Sequence, residues 1–251
     1  MPKKEKDPSE ELWNKIDEFL SQKLGTSDDL LEAALRDSEK AGLPGIQVTP
    51  NQGKLLQLLA QIQGARRILE MGTLGGYSTI CLARALPPDG SLISLELDPA
   101  YAQVARRNVE RAGLHQRVTV TVGPADDSLA QLVSARVAPF DFIFIDADKA
   151  GYPGYFRFAL KLSRPGTVIV ADNIVRKGTV IEPDSPDANV QGVRRMLDVV
   201  ASKSGVSATG IQTVGSKGHD GFVLARVNQD KITRRLLVCV VDYHGHGASP
   251  V

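Results

Sequence analysis

Between Arg67 and Asp172 the chain alternates five short, β-rich apolar runs with amphipathic helices, and that alternation leaves few folds open. The runs are Arg67 to Glu70, Leu92 to Leu97, Val118 to Val122, Phe140 to Asp146 and Thr167 to Asp172. Helices are expected between them at Tyr77 to Leu86, Ala100 to Ala112, Ala125 to Ser134 and Tyr152 to Leu162. A strand that is apolar at consecutive positions has no wet face, so both of its sides must be covered, and strands joined by helices run parallel. The expected fold is α/β, a Rossmann-like sheet with helices on both faces. Ligands of such sheets bind outside the carboxyl ends of the strands.

Flanking segments complete the picture. Val206 to Val214 and Gly221 to Val227 read as a hairpin, giving a mostly parallel seven-stranded sheet with an antiparallel final strand; a helix from Asn189 to Ser202 precedes it. Ahead of the sheet, Trp13, Ile16, Phe19, Leu20 and Leu24 recur at helical spacing, and Leu30, Leu31, Ala34 and Leu35 begin a second helix that stops near Gly42. Pro50 is placed to open a third, Asn51 to Gln63, with Leu55, Leu58, Leu59 and Ile62 on one apolar face. These extra N-terminal helices serve either as a lid over the carboxyl edge or as packing alone. We expect one domain over residues 1–228, with 1–9 disordered, and a C-terminal extension over 229–251 in which Leu236 to Val241 is a strand or a partner-binding segment.

The net charge of +1 supplies no general field for nucleic acid, and the basic pairs are scattered. Two cysteines make no disulfide framework. Nowhere do about 18 consecutive apolar residues occur, and the charged start is unlike a signal peptide. The expected setting is therefore soluble and cytoplasmic, without a membrane partner.

The chemistry begins at Ile68-Leu69-Glu70-Met71-Gly72-Thr73-Leu74-Gly75-Gly76-Tyr77-Ser78, where a strand runs into a glycine-rich turn and a helix. Such a turn lets a ligand approach the backbone, and the first amides of the helix offer donors and a positive dipole end. The dinucleotide spacing G-x-G-x-x-G fails, because Leu74 stands where its second glycine belongs. Glu96, at the end of the next strand, falls where α/β nucleotide folds place a carboxylate on ribose hydroxyls.

Asp146 and the adjacent Asp172-Asn173 lie at further strand ends, so two carboxylates and an amide oxygen share one edge. That donor set suits Mg²⁺, Mn²⁺ or Ca²⁺ rather than zinc. Asx residues also cap turns, and spacing alone leaves both readings open. Beyond Asn173 a long polar connection runs to Pro186, and loops of this length are often functional.

The acidic residue two before Gly72, followed by Gly75-Gly76, resembles motif I of class I methyltransferases that use S-adenosylmethionine. With Phe140-Asp141-Phe142-Ile143-Phe144-Ile145-Asp146-Ala147-Asp148-Lys149 and Ala171-Asp172-Asn173, the chain resembles the metal-dependent O-methyltransferases that include caffeoyl-CoA and catechol O-methyltransferases. The likeness runs from about Leu12 to Val227. It implies Asp146, Asp172 and Asn173 as ligands of Mg²⁺ or a similar cation, and Lys149, beside Asp146, as the general base. The cofactor site it implies takes in Thr49, Glu70, Gly72, Thr73, Gly76, Tyr77, Ser78, Glu96, Leu97, Gly123, Ala125 and Asp146. Glu70 would act on the amino-acid end of the cofactor or order the turn, and Gly123 to Asp126 would face the adenine.

The expected reaction is methyl transfer from S-adenosylmethionine to a hydroxyl of a small catechol-like phenol, by an enzyme whose relatives are often homodimers. The alternatives are a transfer-RNA hydroxyuridine O-methyltransferase and a non-catalytic cofactor-binding protein. Lys149 could instead be an exposed turn lysine paired with Asp148. Arg176 and Lys177, close to the expected metal ligands, could accept an anionic acceptor, a CoA-like tail or a phosphate, or simply be solvated.

Overall fold

The computed structural model describes residues 8–229. Residues 1–7 and the extension from 230 onward, with Leu236 to Val241, lie outside the described residues. The helix α1 (Pro8–Leu24) starts inside the stretch expected to be disordered, so residues 8 and 9 are helical.

Two more helices, α2 (Asp29–Lys40) and α3 (Pro50–Gln63), precede the sheet. Then follow β1 (Arg67–Met71), α4 (Tyr77–Ala83), β2 (Ser91–Glu96), α5 (Pro99–Arg111), β3 (Val118–Val122), α6 (Ala125–Ser134) and β4 (Phe140–Ile145). The chain continues through α7 (Tyr152–Lys161), β5 (Ser163–Asp172), α8 (Ala188–Ala201), β6 (Val206–Gly215) and β7 (Gly218–Val227). The strands form one sheet in the order β3-β2-β1-β4-β5-β7-β6, parallel except for β7, which runs against both its neighbours. This is the expected mostly parallel seven-stranded sheet of a class I methyltransferase.

Burial follows from the alternation of side chains along a strand. Leu69, Met71, Ile143 and Ile145 point to one layer and meet Leu129, Phe156 and Met196 from α6, α7 and α8. Ile68, Phe142 and Phe144 point to the other and meet Leu31, Leu56, Ile80 and Val109 from α2, α3, α4 and α5. β4, central and apolar except for Asp141, is buried at all six positions. Truncating Phe142 or Phe144 to alanine would cost about 3–5 kcal/mol of stability.

Three expectations need correction. α4 ends at Ala83 rather than Leu86, because Pro87 and Pro88 cannot continue it and the chain tightens into i→i+3 bonds, Ala85 N to Leu82 O and Leu86 N to Ala83 O. α3 buries Gly53, Leu56 and Ala60, while Leu55, Leu58 and Ile62 face outward. The helical period placed the apolar stripe correctly, but a stripe cannot say which side the sheet lies on. In the long connection after Asn173, residues Arg176–Ile181 form short 3₁₀ turns interrupted at Lys177 and Gly178. Among the described residues no helix is long and apolar enough to cross a membrane.

Candidate active site

At the carboxyl edge of the sheet lies a cavity of about 790 Å³. Its two walls come from different strands. The ends of β1, β2 and β3 contribute Gly72, Glu96 and Gly123; the ends of β4 and β5 contribute Asp146 and Asn173. Thr73, Tyr77, Ser78, Leu97 and Ala125 also line it, as does the linker Ile46-Gln47-Val48 ahead of α3. The lid-like element is thus this linker, not the helices on either side of it.

The first wall is built around Glu70. Its carboxylate is wholly buried and accepts hydrogen bonds from Ser78 Oγ at 2.6 Å, Ser94 Oγ at 2.7 Å and the Thr79 hydroxyl. Burial pushes this carboxyl up to about 7 against the pull of the three hydroxyls. Glu70 therefore lies behind the cavity wall and ties β1 and β2 to the start of α4, the turn-ordering member of its two expected roles. Glu96 Oε2 accepts from Thr73 N at 3.2 Å and Leu74 N at 2.7 Å, so it clamps the glycine turn while facing the cavity. Gly72 has a positive φ of 99°, and a Cβ there would come within 2.1 Å of the Asp146 backbone oxygen. The turn thus packs against the strand end that carries Asp146, which only glycine permits. Gly76 shapes the turn and Thr49 Oγ1 accepts from Gln52 N to cap α3; neither lines the cavity.

On the second wall, the parallel register pairs Ile145 with Ala171, so Asp146 and Asp172 follow as neighbours one residue beyond. Asp146 Oδ1 accepts from Lys149 Nζ at 2.6 Å. Asp172 is 3% exposed, with Oδ2 accepting from Gln52 Nε2 at 2.6 Å and Oδ1 from Asn173 N at 2.8 Å. Burial first, and then the nearby charge of Asp146, push the Asp172 carboxyl up to about 7. Asn173 sits at φ 55°, a left-handed conformation that asparagine tolerates, and lines the cavity with Asp146, while Asp172 is buried behind them. Among the described residues no three His, Cys, Asp or Glu side chains gather as a metal group. The third oxygen-bearing side chain at these strand ends is the Asn173 amide.

Lys149 is 8% exposed, its ammonium 4.9 Å from the centre of the Tyr152 ring. It is paired with Asp146, not with Asp148, which instead accepts from Gly151 N and the Tyr155 hydroxyl. Gly192 of α8 lets that helix pack directly on this turn: a Cβ there would fall 2.0 Å from the Lys149 carbonyl oxygen.

A family profile described as O-methyltransferase matches residues 22–227. The chain belongs to the S-adenosylmethionine-dependent O-methyltransferase family. Catechol O-methyltransferase of Niastella koreensis is 52% identical over 217 residues, 86% of this chain and 98% of that one. Among solved structures, the O-methyltransferase from Bacillus cereus in complex with SAH superposes with a TM-score of 0.86 at 55% identity, covering 87% of this chain and 99% of that one. The O-methyltransferase TomG from Streptomyces achromogenes, in complex with SAM, gives a TM-score of 0.86 at 49% identity over 89% and 100%. The protein is thus an enzyme of the O-methyltransferase class.

Two participants escaped the sequence reading. Gln52, which holds Asp172, is separated from it by 120 residues, and nothing local in α3 marks it. Lys217, at the tip of the β6–β7 hairpin, donates to Gly45 O at 2.5 Å and fastens the linker that lines the cavity. Its ammonium is lowered by burial, against the opposing charge of Asp146.

Proposed function

We propose that the enzyme moves the methyl group of S-adenosylmethionine to one hydroxyl of a small catechol-like acceptor, with Mg²⁺ or a similar divalent cation held by Asp146, Asp172 and Asn173. The reading is carried by Asp146 and Asp172 at adjacent strand ends, with Asn173 next in the chain and with Asp146 and Asn173 lining the cavity beside the glycine turn. Their fit to a cation rests on two observations. All three donors are hard oxygens, and beside burial the charge of the half-buried Asp146 raises the Asp172 carboxyl, a repulsion that a bound cation would relieve. When bound, the sulfonium cofactor supplies the methyl group, and the cation supplies Lewis acidity and a fixed direction for the acceptor oxygens.

The chain's own residues do the rest. Glu96 and the backbone at Gly72 and Gly123 form the cofactor wall, with Glu96 facing the ribose hydroxyls and Ala125 the adenine. Lys149 stands between Asp146 and the Tyr152 ring, and once its ammonium has released a proton to solvent, the neutral Nζ would receive the hydroxyl proton. The outward apolar residues Leu12, Phe19, Leu58 and Ile62 of α1 and α3 support assembly as a homodimer.

The test is a labelled-methyl assay over catechol, caffeate and a caffeoyl thioester, run with Mg²⁺ and after exhaustive chelation. Methylation of a catechol that disappears with chelation and returns with Mg²⁺ is expected. Full activity after chelation would remove the cation from the reaction.

A further inference from the structure

We infer that Arg176 recognises an acidic substituent on the acceptor, so that the preferred substrate is a vicinal diol phenol bearing a carboxylate. The inference rests on the catechol reading above and names the subclass of acceptor.

Two cationic side chains line the cavity, Lys149 and Arg176. Lys149 is committed to Asp146. Arg176 makes no side-chain hydrogen bond or ion pair among the described residues, and its Nε is buried with no partner. A buried donor left unpaired is costly, and a guanidinium is poorly suited to stay so. It is an open, planar, two-pronged donor, the geometry that fits a carboxylate bidentately.

The turn that carries it is held by the buried side chains of Ile174 and Val175 and by Asp220. Arg176 sits at φ 54° and Lys177 at φ 56°, left-handed conformations that glycine or asparagine would adopt at lower cost. Asp220 Oδ1 holds the turn by accepting from Val175 N at 3.0 Å, Arg176 N at 3.1 Å and Gly221 N at 3.0 Å. Thr179 Oγ1 donates to the Arg176 carbonyl oxygen at 2.7 Å. Held from both sides, the turn fixes the point at which the Arg176 side chain leaves the backbone beside the cavity.

Its position selects the acceptor rather than the cofactor. Arg176 follows Asn173 by three residues, after β5, whereas the cofactor wall is built from β1, β2 and β3, with β4 in between. A ring whose hydroxyls face Asp146 and Asn173 would turn its remaining substituent along this side of the cavity.

The experiment compares kcat/KM for 3,4-dihydroxybenzoate, 4-methylcatechol and dopamine in the full-length enzyme, its R176Q, R176K and R176E variants, and measures calorimetric binding of 3,4-dihydroxybenzoate and SAH. The wild type is expected to prefer the acid over 4-methylcatechol by roughly tenfold or more, the scale of a charge-assisted pair. R176Q should abolish that preference, R176K retain part of it, and R176E favour dopamine, with SAH affinity changing little. An acid-to-neutral ratio equal in wild type and R176Q would overturn the inference, as would an equal loss of SAH affinity. Methylation of all three acceptors without preference sinks this inference alone. Methylation of none sinks the catechol reading and the inference with it.

Discussion

The two walls of the cavity are assembled by different means. On the cofactor wall, the side-chain hydrogen bonds that shape the glycine turn span at most 33 residues: Glu70 to Ser78 spans 8, Leu74 to Glu96 spans 22, Glu70 to Ser94 spans 24 and Asn108 to Gly75 spans 33. The acceptor wall depends on distant partners. Gln52 reaches Asp172 across 120 residues, Lys217 reaches Gly45 across 172, and Ser216 N reaches Asp17 Oδ2 across 199. One wall is bonded mainly within its βαβ units, and the other draws the partner of Asp172 from a leading helix. The difference predicts that the walls can be damaged separately.

The sharpest way to break that comparison is Lys149→Ala. If Lys149 receives the acceptor proton, kcat should fall roughly 10²- to 10⁴-fold while SAH affinity, measured by calorimetry, stays within about twofold of wild type. A parallel collapse of SAH affinity would show that the walls are one unit. Unaltered turnover would remove Lys149 from the chemistry.

A smaller effect is expected from Gln52→Leu, which deletes the amide that holds Asp172 Oδ2 and leaves its neighbours in place. Partners that orient metal ligands typically contribute 10- to 100-fold in affinity or activity. The variant should need on the order of tenfold more Mg²⁺ for half-maximal turnover, and saturating Mg²⁺ should restore much of kcat. If excess Mg²⁺ rescues nothing, Gln52 acts on the fold and not on Asp172.

The same contrast explains how far the sequence could be read. The sheet, its parallel strands and its reversed final strand follow from apolar runs of strand length, because each run carries its own covering requirement wherever it lies. Glu70, Gly72 and Glu96 were legible because they sit at fixed offsets within one βαβ unit. The pairing of Asp146 with Asp172 was half legible: strand ends of a parallel sheet share an edge, yet turn-capping by Asx residues fits the same letters. Gln52 carried no signal, since a glutamine one turn into a helix is ordinary until the helix is docked on β5. The outward turn of Leu55, Leu58 and Ile62 was misread because periodicity defines a face and leaves its partner unnamed.

The mildest prediction concerns the cofactor wall alone. The Glu70 carboxyl lies at about 7 in the folded protein, above the ordinary 4.5, chiefly through burial. The folded state therefore holds a proton that the unfolded chain releases between those values. Stability from this group is complete below about pH 4.5 and is lost as pH rises through 7. In chelator, so that Asp172 carries no cation in either protein, the wild type should lose on the order of 5 °C in Tm between pH 5 and 8 relative to Glu70→Gln, whose amide does not titrate. The glutamine variant forfeits some of the hydroxyl bonds of Ser78, Thr79 and Ser94, so its Tm is expected to be lower than wild type at pH 5 and to approach it at pH 8. Parallel pH curves for the two proteins would mean that Glu70 stays ionised in its buried cradle, held by the three hydroxyls alone, and that the carboxylate helps hold the cofactor wall with its full charge.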